Sequence, residues 1–220
     1  MIKQIVRLRG PIQQFINLEF EEDEEENENL FLTDELFDHM PSFATDLDLL
    51  HRCFLFFQNT QIGLRSAVLP KIDHIITTFH DVEDDRKYHS PSYIAIDLQA
   101  RFFDPTSDRT DQMIIASCLD PRYCKTIKDI CQRNELDHNY ERALNFIREN
   151  LDEEEKLEQS PEQRTIDPYE QFLDAVSDID ERTDPLEWIR ANKSKFKRLH
   201  SLFRQYLSVP AVRWILYSKI

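Results

Sequence analysis

Only two of the 220 residues are glycine, Gly10 and Gly63. That scarcity constrains the fold more than any other feature of the chain. Loops that cradle phosphate need several glycines, because the backbone must come close to the ligand. A P-loop and a dinucleotide-binding turn are therefore excluded. Tight hairpin turns also favour Gly and Asn, which disfavours a β-sandwich. The expected fold class is mainly α. A hydrophobic fraction of 40% is enough for one substantial core, or for one domain plus a tail.

The formal charge is −15, from 42 acidic and 27 basic residues. A uniform field of that sign repels nucleic acid and anionic membrane. The distribution is uneven, however. From Pro185 onward, eight basic residues face the single acid Glu187, which leaves that tail at +7 and the remainder at −22. Asymmetry of this kind marks either a binding surface or charge complementarity within one fold. There is no apolar secretory stretch behind Met1 and no apolar run of bilayer length. The expectation is a reduced, intracellular protein with free thiols at Cys53, Cys118, Cys124 and Cys131.

Four segments are expected along the chain. Residues 1–32 hold a helix with Ile12, Phe15, Ile16 and Phe20 at near-helical spacing, then the acidic run Glu21 to Asn29. Like-charge repulsion predicts a solvated loop there, or a contact for a basic partner. Residues 33–151 form a helical domain. In it, Leu47, Leu50, Phe54 and Phe57 recur at helical spacing, and the run Cys53 to Phe57 is apolar all round, which predicts a buried helix. Val68, Leu69, Ile72, Ile75, Ile76 and Phe79 make a second stripe, and Asp81 to His89 reads as a loop. Ser90-Pro91 resembles a helix start, with Tyr93, Ile94, Leu98 and Phe102 on one face. A further helical region spans Ile127 to Leu151. Residues 152–164 read as an acidic linker, and 165–220 as the last unit. Asp167-Pro168-x-Glu170 and Asp184-Pro185-x-Glu187 are helix starts: Asp caps the first free N–H groups and Pro fits the first turn.

Candidate chemistry is sparse. Cys118, Cys124, Cys131 and His138 lack the tight Cys-x2-4-Cys knuckle of structural zinc sites, so no metal ligand is assigned. The seven histidines have no nucleophile elbow beside them, and the many carboxylates single out no converging set. No catalytic residue, cofactor, small-molecule substrate or membrane contact is expected. The segment that stands apart is Asp184 to Pro210. Trp188 starts it, and Ile189, Phe196, Leu199, Phe203, Tyr206 and Leu207 follow at steps of 7, 3, 4, 3 and 1, the apolar face of one long helix. Arg190, Lys193, Lys197 and Arg204 flank that face. They are candidate contacts to phosphate or to an acidic partner. The alternative is an ordinary core helix with a solvated basic flank.

These residues resemble a known family. Leu186-Glu187-Trp188-Ile189-Arg190-Ala191-Asn192, then Phe196, Leu199 and Tyr206-Leu207-Ser208-Val209-Pro210-Ala211, look like the C-terminal dimerisation region of hAT-family transposases, which include zinc-finger BED-domain relatives. Ile114 to Lys125 is similar to the family's Leu-Asp-Pro-Arg-aromatic-Lys segment, and Asp97-Leu98-x-x-Arg101-Phe102 lies upstream in the matching order. The resemblance covers about residues 45 to 211 and includes the helices within Leu50 to Phe79. It implies the helical insertion region of a hAT transposase running into a fragment of the ribonuclease-H-like core, with one strand at Val212 to Tyr217. It also implies dimerisation through Trp188, Ile189, Phe196, Leu199, Phe203, Tyr206 and Leu207, with a second copy or a related hAT-like protein. Nuclear residence is implied, or cytoplasmic residence otherwise, and DNA or chromatin would be reached through other domains.

The departures bear on activity. Ile189 stands in place of a second Trp, and Lys197 in place of a Pro. The family's Ser-Glu-Arg stretch is not found after Ala211, and nothing matches the two upstream catalytic aspartates or the BED finger. The expectation is an association module without catalysis. The alternatives are a non-catalytic contact to nucleic acid through the basic helix, and residual metal-dependent cleavage of DNA.

Overall fold

The computed structural model describes residues 10, 34–59, 61–81, 90–155, 167–176 and 179–211. Nine α-helices order those residues: α1 Asp34–Gln58, α2 Val68–Asp81, α3 Ser90–Phe102, α4 Asp108–Leu119, α5 Ile127–Arg133, α6 Asp137–Glu155, α7 Pro168–Ala175, α8 Pro185–Ala191 and α9 His200–Leu207. Two 3-10 turns, Arg65–Ala67 and Lys197–Leu199, lead into α2 and α9. The mainly helical expectation holds. The β-pairing among the described residues is a single antiparallel bridge, Leu64 to Pro210. The strand expected at Val212 to Tyr217 lies outside the described residues, as do the N-terminal acidic run and most of the 152–164 linker.

Helix α4 is the centre of the core. Met113 to Leu119 are all buried, and α4 packs on α6, α9 and the Arg65–Ala67 turn. Ser107 caps its start by accepting from the Arg109 N–H at 3.3 Å. From Met113 onward the helix is buried all round, and such a stretch carries no amphipathic stripe. For that reason α4 is the one large element that periodicity did not announce.

The bridge joins the segment between α1 and α2 to the end of the described chain. Arg65 N–H donates to the Val209 carbonyl at 3.0 Å, and Ala211 N–H to the Gly63 carbonyl at 2.8 Å. Gly63 is needed at this crossing. A Cβ there would lie 2.7 Å from the Asn59 carbonyl oxygen and 2.8 Å from Phe57 Cα, both backbone atoms at the end of α1. One of the two glycines is thus spent where backbone meets backbone.

Several boundaries differ from expectation. The Ile127 to Leu151 region is two helices, split where Glu135 takes a left-handed φ of 58° and Leu136 N–H returns to the Cys131 carbonyl. Helix α6 continues through Glu155, into the stretch expected to be linker. The run Cys53 to Phe57 is not buried all round: Phe54 and Leu55 are 54% and 50% exposed. Helix α1 packs mainly on α2, so only its inner side, ending in Phe57, is covered. In α3, Ile94, Leu98 and Phe102 pack on the core, whereas Tyr93 points outward.

The largest correction concerns the C-terminal segment. It is three pieces rather than one long helix. Asn192 closes α8: its N–H reaches the Trp188 and Ile189 carbonyls, and its side-chain amide donates to Trp188 O at 2.9 Å. These local bonds satisfy the last carbonyls and turn the chain. A turn through 192–195 and the Lys197–Leu199 3-10 turn then lead into α9.

Candidate functional site

Both Asp-Pro helix starts form as the sequence predicts. Asp167 accepts from Tyr169 N–H at 2.8 Å, and Asp184 from Leu186 N–H at 2.8 Å and Glu187 N–H at 3.3 Å. Caps of this type contribute about 1 kcal/mol each. They bring α7 and α8 to a common centre, Phe172. Its ring lies 5.5 to 6.1 Å from those of Phe203, Phe196, Trp188 and Tyr169. Trp188 stacks on Phe196 at 5.9 Å, and Phe146 of α6 meets Tyr206 edge-on at 5.8 Å. Such aromatic pairs add to the apolar burial itself.

The seven residues assigned to dimerisation fall in or around this cluster. Ile189, Phe196, Leu199, Phe203, Tyr206 and Leu207 are buried, and Trp188 is half-buried. They hold α8 and α9 to the body of the same chain. Phe172, which organises them, lies outside the segment that stood out in sequence.

In this region an open surface lies between α8 and α9. A groove of about 430 Å³ runs there, with Leu186, Ile189 and Phe203 in its floor and Arg190, Lys193, His200, Arg204 and Ser208 around it. A more open depression, lined by Ser201, Arg204, Gln205 and Ser208, continues from it. Three of the four cations singled out in sequence therefore converge, namely Arg190, Lys193 and Arg204. Lys197 does not line the groove. All three converging cations are exposed, and none of them forms an ion pair among the described residues. Guanidinium forks beside an apolar floor suit carboxylates carried next to apolar side chains. Sequence spacing missed Leu186, His200 and Ser208, because a broken helix folds them onto the same groove.

The Asp-Pro-Arg segment, Asp120 to Arg122, is a structural clamp. The Asp120 and Arg122 side chains are fully buried and paired at 2.7 Å. Asp120 also accepts from Ser66 Oγ at 2.6 Å and from Arg122 N–H at 2.9 Å. Arg122 donates onward to the carbonyls of Ile62 and Glu181, at 2.9 and 3.2 Å. Burial works against the guanidinium charge, but the hydrogen bonds and charge of Asp120 outweigh it and hold Arg122 above its ordinary value. Nearby, buried Arg65 reaches Gln112 at 3.1 Å and the Tyr206 carbonyl at 3.2 Å, and burial lowers its pKa.

The four thiols are free, with Cys118, Cys124 and Cys131 buried. Burial pushes Cys124 and Cys131 up to about 12 and Cys53 up to about 11. A thiol held protonated is a poor nucleophile and a poor metal ligand. Among the described residues, no group of three or more His, Cys, Asp or Glu is placed to hold a metal ion, and no helix is long and apolar enough to cross a membrane.

The groove and its aromatic support lie within one recognisable unit. Residues 168–214 match the hAT family C-terminal dimerisation region. The match supports a hAT transposase-related C-terminal region, as the resemblance of Leu186 to Ala211 implies. No curated protein and no solved structure matches the chain. Within the hAT-related region, α7, α8 and α9 form the aromatic cluster, and the α8–α9 angle supplies its open, basic face.

Proposed function

We propose that this is a hAT transposase-derived protein that acts by dimerisation, with a second copy or a related hAT-like protein seated on the α8–α9 face. The carrying observation is that the segment matching a dimerisation region ends its apolar side in its own core and leaves Arg190, Lys193 and Arg204 around a groove, without an ion pair among the described residues. In this reading the seven apolar residues build the interface indirectly, by fixing the angle between α8 and α9. The protein works without catalysis of its own, resides in the nucleus and associates with DNA or chromatin through partner domains. Support for the non-catalytic part comes from the acids: Asp73, Asp111, Asp120, Asp167 and Asp184 are each engaged by Arg, Asn or backbone donors. The finer architecture, a helical body running into a fragment of a ribonuclease-H-like core, draws its support from the resemblance of Tyr206 to Ala211.

Sedimentation velocity of the full chain over a micromolar dilution series tests the proposal. A species of twice 26.4 kDa that dissociates on dilution is expected. A monomer at every concentration contradicts self-association. A second reading, contact with nucleic acid, uses the same three cations. It requires binding that weakens steeply with salt, and the −22 carried by the rest of the chain opposes it.

A further inference from the structure

The groove has an apolar floor and an exposed rim of three cations that form no ion pair among the described residues. Its occupant must bring carboxylates to the rim and apolar side chains to the floor. A purely acidic strand would leave the floor wet, and a purely apolar one would desolvate the rim cations without compensation. The chain itself contains a stretch of the required composition. Between Glu19 and Glu28 there are eight acidic residues, with Leu18 and Phe20 at one end and Leu30-Phe31-Leu32 at the other. No other stretch of the chain concentrates as many acids between apolar anchors. The charge division points the same way, with a +7 tail and a −22 remainder. A basic cleft of this sign raises the local concentration of an acidic segment before any contact forms.

We propose that the α8–α9 groove is filled by residues 18–32 of a second copy of the chain, with Arg190, Lys193 and Arg204 pairing with the acidic run and an apolar anchor reaching Leu186 and Phe203. The inference rests on the dimerisation reading and names the segment exchanged. Two copies can exchange the segment reciprocally, which satisfies both grooves under one two-fold axis. Such an interface weakens with salt, because its charges lie at the rim.

Zero-length coupling with a carbodiimide reads the contact directly on the full chain. The reagent joins a lysine amine to a carboxylate in contact with it, and the water lost in forming the amide is taken up by the carbodiimide. Mixing chains of two nitrogen isotopes before coupling separates links between copies from links within one. The expected result is that Lys193 couples to acids within 19–28 across copies. Its yield should exceed that of the exposed Lys125 and Lys128 by about tenfold or more and collapse in the Arg190→Glu/Arg204→Glu variant, which retains Lys193. Coupling of Lys193 to acids elsewhere, coupling confined to one chain, or a yield unchanged in that variant each overturns the proposal. A dimer seen by sedimentation without this coupling overturns the exchanged segment and leaves the dimerisation reading standing.

Discussion

In α1, Phe43, Leu47 and Phe54 fall on one helical face and remain 42%, 36% and 54% exposed. In the C-terminal region, Phe196, Leu199, Phe203 and Leu207 also recur at helical spacing and are at most 4% exposed. The two stripes look alike as sequence, and each carries large aliphatic and aromatic side chains. They differ in what surrounds them. The C-terminal stripe is folded back on itself by the Asn192 turn, so that α7, α8, α9 and α6 close over Phe172. Helix α1 is one continuous helix of 25 residues, with Pro41 inside it, and meets the body mainly through α2. Apolar spacing therefore reports that a helix has an apolar face. The chain breaks around it decide whether that face is spent within one chain.

The contrast makes ordered predictions. Phe172→Ala removes the ring at the centre of the cluster and should cost about 3–5 kcal/mol, read by urea denaturation with an unchanged slope. Asp120→Ala strikes the clamp that ties Ile62, just after α1, to Glu181, just before α8. It strands a buried guanidinium and should cost a similar ~3–5 kcal/mol, with loss of the cooperative link between the two regions in hydrogen exchange. Phe54→Ser, on the exposed α1 stripe, should change stability by no more than about 0.5 kcal/mol. A cost as large as that of Phe172→Ala would mean that the α1 stripe is covered within the fold, and the comparison would collapse.

Much of this was legible beforehand, and the gaps have physical causes. The mainly helical class followed from two glycines and dense charge, and α7 and α8 begin at their Asp-Pro caps because those side chains act locally. Three of the four flagged cations meet at one groove, but they do so because the chain breaks at Asn192 and folds α9 beside α8, not because one helix carries them. What stayed hidden depends on tertiary packing. The second half of helix α4, Met113 to Leu119, lacks a polar face and so lacks a periodic signal. The Asn192 break interrupts an apolar pattern that, by spacing alone, continues. The Asp120–Arg122 clamp joins positions 54 to 60 residues apart, and no local pattern shows that those residues meet. The resemblance to the hAT dimerisation region found the right part of the chain, but not which of its residues face inward.

The central claim is that the C-terminal region associates through its basic outer face, while its apolar residues hold the fold. The most direct measurement is sedimentation velocity of the wild type beside the Arg190→Glu/Arg204→Glu variant, each paired with a thermal melt. The account predicts a dimer for the wild type and a monomer for the variant, with closely similar melting of the two at concentrations where both are monomeric. A variant that remains dimeric, or one that loses its fold along with the dimer, contradicts it.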